Sequence, residues 1–219
     1  MAINKKKYKE ISTELTAQNV QLVAVSKLKS TSDIVDLYEL GQKDFGENYV
    51  QELVEKQDTL KHLNINWHFI GHLQTNKVKH IAGFVHLIQS VDSLKLLQEI
   101  DKQAAKNNRI IDCLLQVFIA TEETKFGLNE NEIGDIFNEL NFGNLPNISI
   151  KGFMGMASLT TDETTVSKEF HQLLNICKKF KISNPTSQII SMGMSQDYKL
   201  AIAAGSNLVR IGSLLFGKR

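Results

Sequence analysis

Only two of the 219 residues are cysteine and only two are proline. Cys113 sits in an apolar strand-like run and Cys177 on the apolar face of a helical pattern. Two cysteines make no disulfide framework, so both read as small buried hydrophobes. Pro146 and Pro185 interrupt little, and no low-complexity stretch divides the chain, so residues 1–219 are expected to form one domain. No run approaches the roughly 20 apolar residues that cross a bilayer. The Lys-rich opening, Met1–Glu10, lacks the apolar centre of a secretory signal, so the expected compartment is the cytoplasm. Neither sign of charge is in excess: 25 basic residues face 24 acidic ones, which gives no electrostatic case for nucleic acid or an anionic membrane. Arginine is scarce, limited to Arg109, Arg210 and Arg219. A short-period repeat is also absent, and no G-x-G-x-x-G follows the first strand, which argues against an open dinucleotide-binding sheet.

What is present is alternation, in a chain with enough hydrophobic residues (42%) for a substantial core. Short apolar runs at Gln21–Ser26, Lys43–Gly46, Trp67–Ile70, Val85–Ser90, Cys113–Ile119, Ile148–Met154, Ile189–Ser191 and Leu208–Ile211 read as strands. Helical patterns separate them. The first, Ser32–Leu40, has Thr31 as a candidate N-cap, and an acidic helix start follows at Glu47. A helix carrying Leu94, Leu97 and Ile100 is capped by Asp92 or Ser93. Glu130–Leu140 comes next. Glu163–Phe180 is the clearest, with Val166, Phe170, Leu173, Leu174, Cys177 and Phe180 on one face. The last runs from Ser195 to Ala204, with Gly205 near its C-cap. About eight βα units predict an α/β fold, a single (β/α)8 barrel of the TIM type with its helices outside.

In such a barrel, active groups gather where the strands end. The residues there are Lys27, Glu47–Asn48, Gly71–His72, Gln89–Ser90, Thr124–Lys125, Met156–Ser158, Ser191–Gly193 and Arg210–Ser213. Lys27 follows a very apolar strand, where desolvation favours the neutral amine that attacks an aldehyde. The loops after strands 7 and 8 often hold phosphate. Here they read Ser191-Met-Gly-Met-Ser195 and Arg210-Ile-Gly-Ser213. Gly193 and Gly212 allow close backbone approach to an anion, and Ser191, Ser195 and Ser213 offer hydroxyls. Ser195 is also expected to open a helix whose N–H groups favour negative charge. Arg210, between Val209 and Ile211, needs a partner if buried, and sequence shows no adjacent carboxylate. His68 and His72 lie on a strand and its loop with no carboxylate to complete a set, so no metal site is expected. No cation activates Cys113, and His171 reads as structural or exposed.

Several blocks, in order, resemble one family. They are Val25-Ser-Lys27, Phe45-Gly-Glu-Asn-Tyr49, Trp67-His-Phe-Ile-Gly71, Gly152-Phe-Met154, Ser191-Met-Gly-Met-Ser195 with Asp197, and Val209-Arg-Ile-Gly212 with Phe216-Gly217. They resemble the pyridoxal phosphate homeostasis proteins, related to the N-terminal barrel of alanine racemase. The resemblance implies a barrel of PLP fold type III without the C-terminal β domain, and pyridoxal 5′-phosphate (PLP) as cofactor, held as a Schiff base on Lys27. Asn48, Ser191, Gly193, Ser195, Arg210, Gly212 and Ser213 complete the implied cofactor-binding set. It further implies a role in PLP homeostasis without established catalysis. The partners expected are PLP and PLP-requiring apoenzymes, and the chain is expected to be a monomer. The sequence departs from the family pattern at Leu28 to Ser30, where a proline is frequent, and at Phe126. Two alternatives stand. One is a PLP-dependent amino-acid racemase, which needs a second acid/base opposite the lysine and draws a tyrosine from a C-terminal domain that the residues up to Arg219 leave no room for. Tyr49 and Tyr198 are the tyrosines near strand ends. The other is a PLP-free aldolase using Lys27 on a sugar phosphate.

Overall fold

A computed structural model describes residues 3–122, 125–141, 143–180 and 188–217. Thr124 and Pro185 lie outside the described residues. Eight parallel strands close into a barrel in chain order: β1 Gln21–Val25, β2 Asp44–Glu47, β3 Asn66–Phe69, β4 Leu87–Val91, β5 Ile111–Val117, β6 Ile148–Gly155, β7 Ile189–Ser191 and β8 Leu208–Ile211. β8 returns to β1 through Leu22↔Val209 and Val23↔Arg210, so every strand has two neighbours and the edge problem disappears. The expected (β/α)8 barrel is therefore what the chain forms.

The helices are α1 Lys5–Ala17, α2 Thr31–Glu39, α3 Val50–Leu60, α4 Leu94–Lys106, α5 Glu130–Asn141, α6 Glu163–Lys179, α7 Tyr198–Ala203 and α8 Ser213–Phe216. Local chemistry sets their starts. Ser30, not Thr31, caps α2: its hydroxyl accepts from Asp33 N–H while the Asp33 carboxylate accepts from Ser30 N–H, a reciprocal box. Ser93 caps α4 by accepting from Leu96 N–H at 3.2 Å. Asp162 caps α6, which buries Val166, Phe170, Leu173, Ile176 and Cys177 against the barrel. Of the hydrophobic face read from the sequence, Val166, Phe170, Leu173 and Cys177 are buried, Leu174 and Phe180 are half-buried, and Ile176 joins the buried set.

Two expectations change, and a helix not read from the sequence appears. Glu47 does not start a helix; it ends β2, fully buried, and α3 begins three residues later. The seventh helix starts at Tyr198 rather than Ser195, because Asp197 Oδ1 accepts Met194 N–H at 2.6 Å and keeps residues 194–197 in a turn. The Lys-rich opening is mostly helix α1, which buries Tyr8, Ile11 and Leu15. α1 joins the end of the barrel: Asn4 N–H donates to the Leu215 carbonyl at 2.7 Å, and the Tyr198 hydroxyl donates to Glu14 at 3.2 Å. A 3-10 segment at Thr75–His80 also lay outside the sequence reading. Among the described residues no helix is long and apolar enough to cross a membrane.

Candidate functional site

A cleft of about 730 Å³ opens at the C-terminal ends of the strands. Its walls come from the segments after β1, β6, β7 and β8, with Lys125 from the segment after β5. Of the expected site residues, Lys27, Ser195, Arg210, Gly212 and Ser213 line it together. Ser191, Gly193 and Asn48 do not line it. Four cations (Lys27, Lys29, Lys125 and Arg210) face two carboxylates (Glu163 and Asp197) on its wall, so the field in the cleft is positive. Val25, Val166, Met194 and Leu200 give it apolar surface.

Lys27 owes its place to the turn that follows β1. Lys29 N–H donates to the Ser26 carbonyl at 3.0 Å, and Leu28 takes a left-handed φ of 59° with 59% of its surface exposed. The turn throws Leu28 outward and leaves both flanking lysines on the cleft. A buried charge network grips its base. Lys56 Nζ donates to the Ser26 carbonyl (2.7 Å), Glu47 (2.7 Å) and Glu52 (2.6 Å), and Glu52 also accepts Leu28 N–H at 2.6 Å. Ser26 Oγ donates to Glu47 at 2.6 Å. Burial pushes the Glu47 carboxyl above its ordinary range despite the pull of Lys56.

Arg210 is 3% exposed, and among the described residues it makes no ion pair. Its guanidinium donates to Ser191 Oγ and, at 3.0 Å, to the Gly155 carbonyl, both neutral acceptors. Burial brings it down to about 10, with Asp197 opposing, so it stays a cation at neutral pH. A buried cation held only by neutral groups favours an anion in the cleft beside it. Ser191 thus acts from behind the wall.

The two closing loops are tied to each other: Gly212 N–H donates to Ser195 Oγ at 3.2 Å. Glycine is required at the first, and a side chain would be crowded at the second. Gly193 has φ +95°, and a Cβ there would stand 2.6 Å from Ala201 Cβ and 2.9 Å from Tyr198 Cα. A Cβ on Gly212 would stand 3.1 Å from the Val25 carbonyl. α8 starts at Ser213, on the cleft, and its first backbone N–H groups have no acceptor within the helix. Asn48 Oδ1 is buried without a hydrogen-bond partner.

Lys29, Leu159–Thr161, Glu163 and Leu200 also line the cleft and were missed from sequence. The signal for Lys29 was present: a lysine two residues past a strand-end lysine shares its side when the residue between turns outward. Other expectations resolve elsewhere. His72 pairs with Asp92 at 3.0 Å, and His171 is exposed on α6. Tyr49 is exposed, and neither it nor Tyr198 lines the cleft. Cys113 and Cys177 are buried free thiols. Asp44, His68 and His86 bring their ligand atoms within 4.8 Å of one another, but His68 Nε2 already bonds Asp44 Oδ1 and its Nδ1 faces Gln89.

The family model described as "Alanine racemase, N-terminal domain" matches residues 4–219. A pyridoxal phosphate homeostasis protein from Aquifex aeolicus is 40% identical over 200 residues, covering 91% of this chain and 87% of that protein. One from Pasteurella multocida is 38% identical over 204 residues, with the same coverages. The structure of PipY from Synechococcus elongatus with PLP bound superposes with a TM-score of 0.84 at 33% identity, covering 95% of this chain and 99% of that one. A barrel of this closure, matched over nearly its full length by these relatives, belongs to the alanine racemase N-terminal domain family and, within it, to the pyridoxal phosphate homeostasis proteins.

Proposed function

We propose that the cleft binds PLP and that the protein serves PLP homeostasis in the cytoplasm, as a one-domain, monomeric carrier that hands PLP to apoenzymes. The observation that carries this reading is the placement of Lys27 and Arg210, with Lys29 and Lys125, on one concave wall. PLP is an anion bearing an aldehyde, and when bound it supplies an electron-withdrawing ring conjugated to that carbon. Lys27 Nζ is the amine that would hold the aldehyde, and the turn gripped by Lys56 and Glu52 orients it. The tied loops at Ser195, Gly212 and Ser213, with Arg210 beside them, offer the anion hydroxyls, the backbone N–H of Ser213 and a buried cation. Ser191 and Gly193 serve from behind, one holding Arg210 and the other permitting the turn. Asn48, also expected in the cofactor-binding set, stands off the cleft wall with its Oδ1 buried.

A carrier is favoured over a racemase by the cleft wall. Among its described residues no tyrosine or histidine stands opposite Lys27 as the second proton-transfer group. Asp197 is engaged by Met194 N–H. The exposed large hydrophobics Leu28, Tyr49, Ile110, Phe118 and Leu159 come from separate turns and loops, which suits a monomer.

Borohydride reduction of the protein with PLP, followed by peptide mass spectrometry, should place a pyridoxyl group on Lys27. Modification elsewhere, or none, refutes the assignment. Incubation with single L-amino acids should yield no D-isomer. D-isomer formation lost in Lys27→Ala would overturn the carrier reading in favour of racemisation.

A further inference from the structure

A line of side chains crosses the barrel interior from Arg210 to the opposite mouth. Arg210 donates to Ser191 Oγ. Ser191 Oγ lies 2.7 Å from Gln89 Oε1, Gln89 Nε2 lies 3.0 Å from His68 Nδ1, and His68 Nε2 lies 3.0 Å from Asp44 Oδ1. Ser191 is on β7 and Gln89 on β4, strands that are not neighbours, so their bond spans the interior. Arg210, Ser191, Gln89 and His68 are all buried, whereas Asp44, the first residue of β2, keeps 17% of its side-chain surface exposed.

Donor chemistry fixes the polarity of the whole line. A guanidinium only donates, so Ser191 Oγ accepts from Arg210 and its single proton goes to Gln89 Oε1. The amide then presents its nitrogen to His68, whose Nδ1 must accept. The remaining ring proton sits on Nε2 and goes to Asp44. Every donor points away from the cleft, and the line runs from a cation to a carboxylate. His68 is thereby kept neutral, in the direction in which burial also drives it.

We infer that Gln89, His68 and Asp44 are positioning residues for Arg210: through Ser191 they fix the guanidinium at the cleft, although none of them lines it. This rests on the PLP reading for its effect on binding, but not for the hold on Arg210 itself. Only three arginines and six histidines are present, so selective ¹⁵N labelling resolves both side chains in the ligand-free protein. The expected wild-type spectrum has His68 as the Nε2–H tautomer. Gln89→Met should shift or broaden the Arg210 side-chain signal while Arg109 stays put, and weaken PLP binding about fivefold, the equivalent of one neutral hydrogen bond. Gln89→Glu keeps an acceptor for Ser191 but offers His68 no donor, so the His68 proton should move to Nδ1 in that variant. Should the Met variant fail to fold, Asp44→Ala at the far mouth gives the same readout and should move the Arg210 signal. An Nδ1–H tautomer at His68 in the wild-type protein, or an Arg210 signal indifferent to both substitutions, overturns the inference. Borohydride trapping on wild-type Lys27 tests the PLP reading separately, and the ligand-free spectra decide the positioning claim whichever way that trapping falls.

Discussion

Replacing Lys56 with methionine would test the network that holds the Lys27 turn. Lys56 is buried and donates to three acceptors at 2.6–2.7 Å, two of them carboxylates. Its partner Glu47 is fully buried, and Glu47 Oε2 already lacks a hydrogen-bond partner. Methionine matches the volume but leaves the Glu47 charge uncompensated, and removing one member of a buried pair costs about 3–5 kcal/mol. Glu52 adds less, because it retains access to water. Urea unfolding at neutral pH should show that loss. The double variant Lys56→Met with Glu47→Gln should recover at least about 1 kcal/mol of it, because the orphaned charge is gone. The pH dependence has a definite sign. The Glu47 pKa already lies above its ordinary value of 4.5, and losing Lys56 raises it further. In the window above 4.5 the native variant then binds a proton that the unfolded chain does not, so its stability falls as pH rises through that window. Lowering the pH from neutrality should therefore narrow the gap to wild type. A loss below about 1 kcal/mol at neutral pH, or a gap independent of pH, would refute the argument.

Two further outcomes follow from the geometry. Gly193→Ala forces a Cβ to within 2.6 Å of Ala201 Cβ at φ +95°, so thermal unfolding should show a loss of about 1–3 kcal/mol, and an unchanged midpoint would mean the loop relaxes freely. Burial pushes the Cys177 thiol up to about 12 and raises Cys113 too, so neither should react with iodoacetamide in the native protein at pH 8, while both should react in urea.

The barrel was legible because parallel strands buried on both sides read as short continuous apolar runs, and the helices between them carry a one-sided pattern; α6 shows it most plainly. Lys27 and Arg210 were legible because both fall where barrel strands end, the place where active groups gather, although a strand-end lysine reaching solvent is also common. Helix α1 escaped because lysines dominate its sequence, although Tyr8, Ile11 and Leu15 carry a helical spacing. The start of α7 was misplaced because Ser195 is a good capping residue by type. Its hydroxyl is instead taken by Gly212, seventeen positions away, which no local rule reveals. The partners of Arg210 come from β6 and β7, and the carboxylate at the far end of its line comes from β2. Only closure of the sheet brings those together.

The Asn4 amide resting on the Leu215 carbonyl gives the molecule a further property. Head and tail of the described polypeptide meet at one spot on the ring, so the order of units around the circle matters less than their adjacency. A handful of added residues would suffice to splice those ends, and the ring could then be opened at another surface loop, such as the one between α4 and β5, with every strand keeping both of its neighbours.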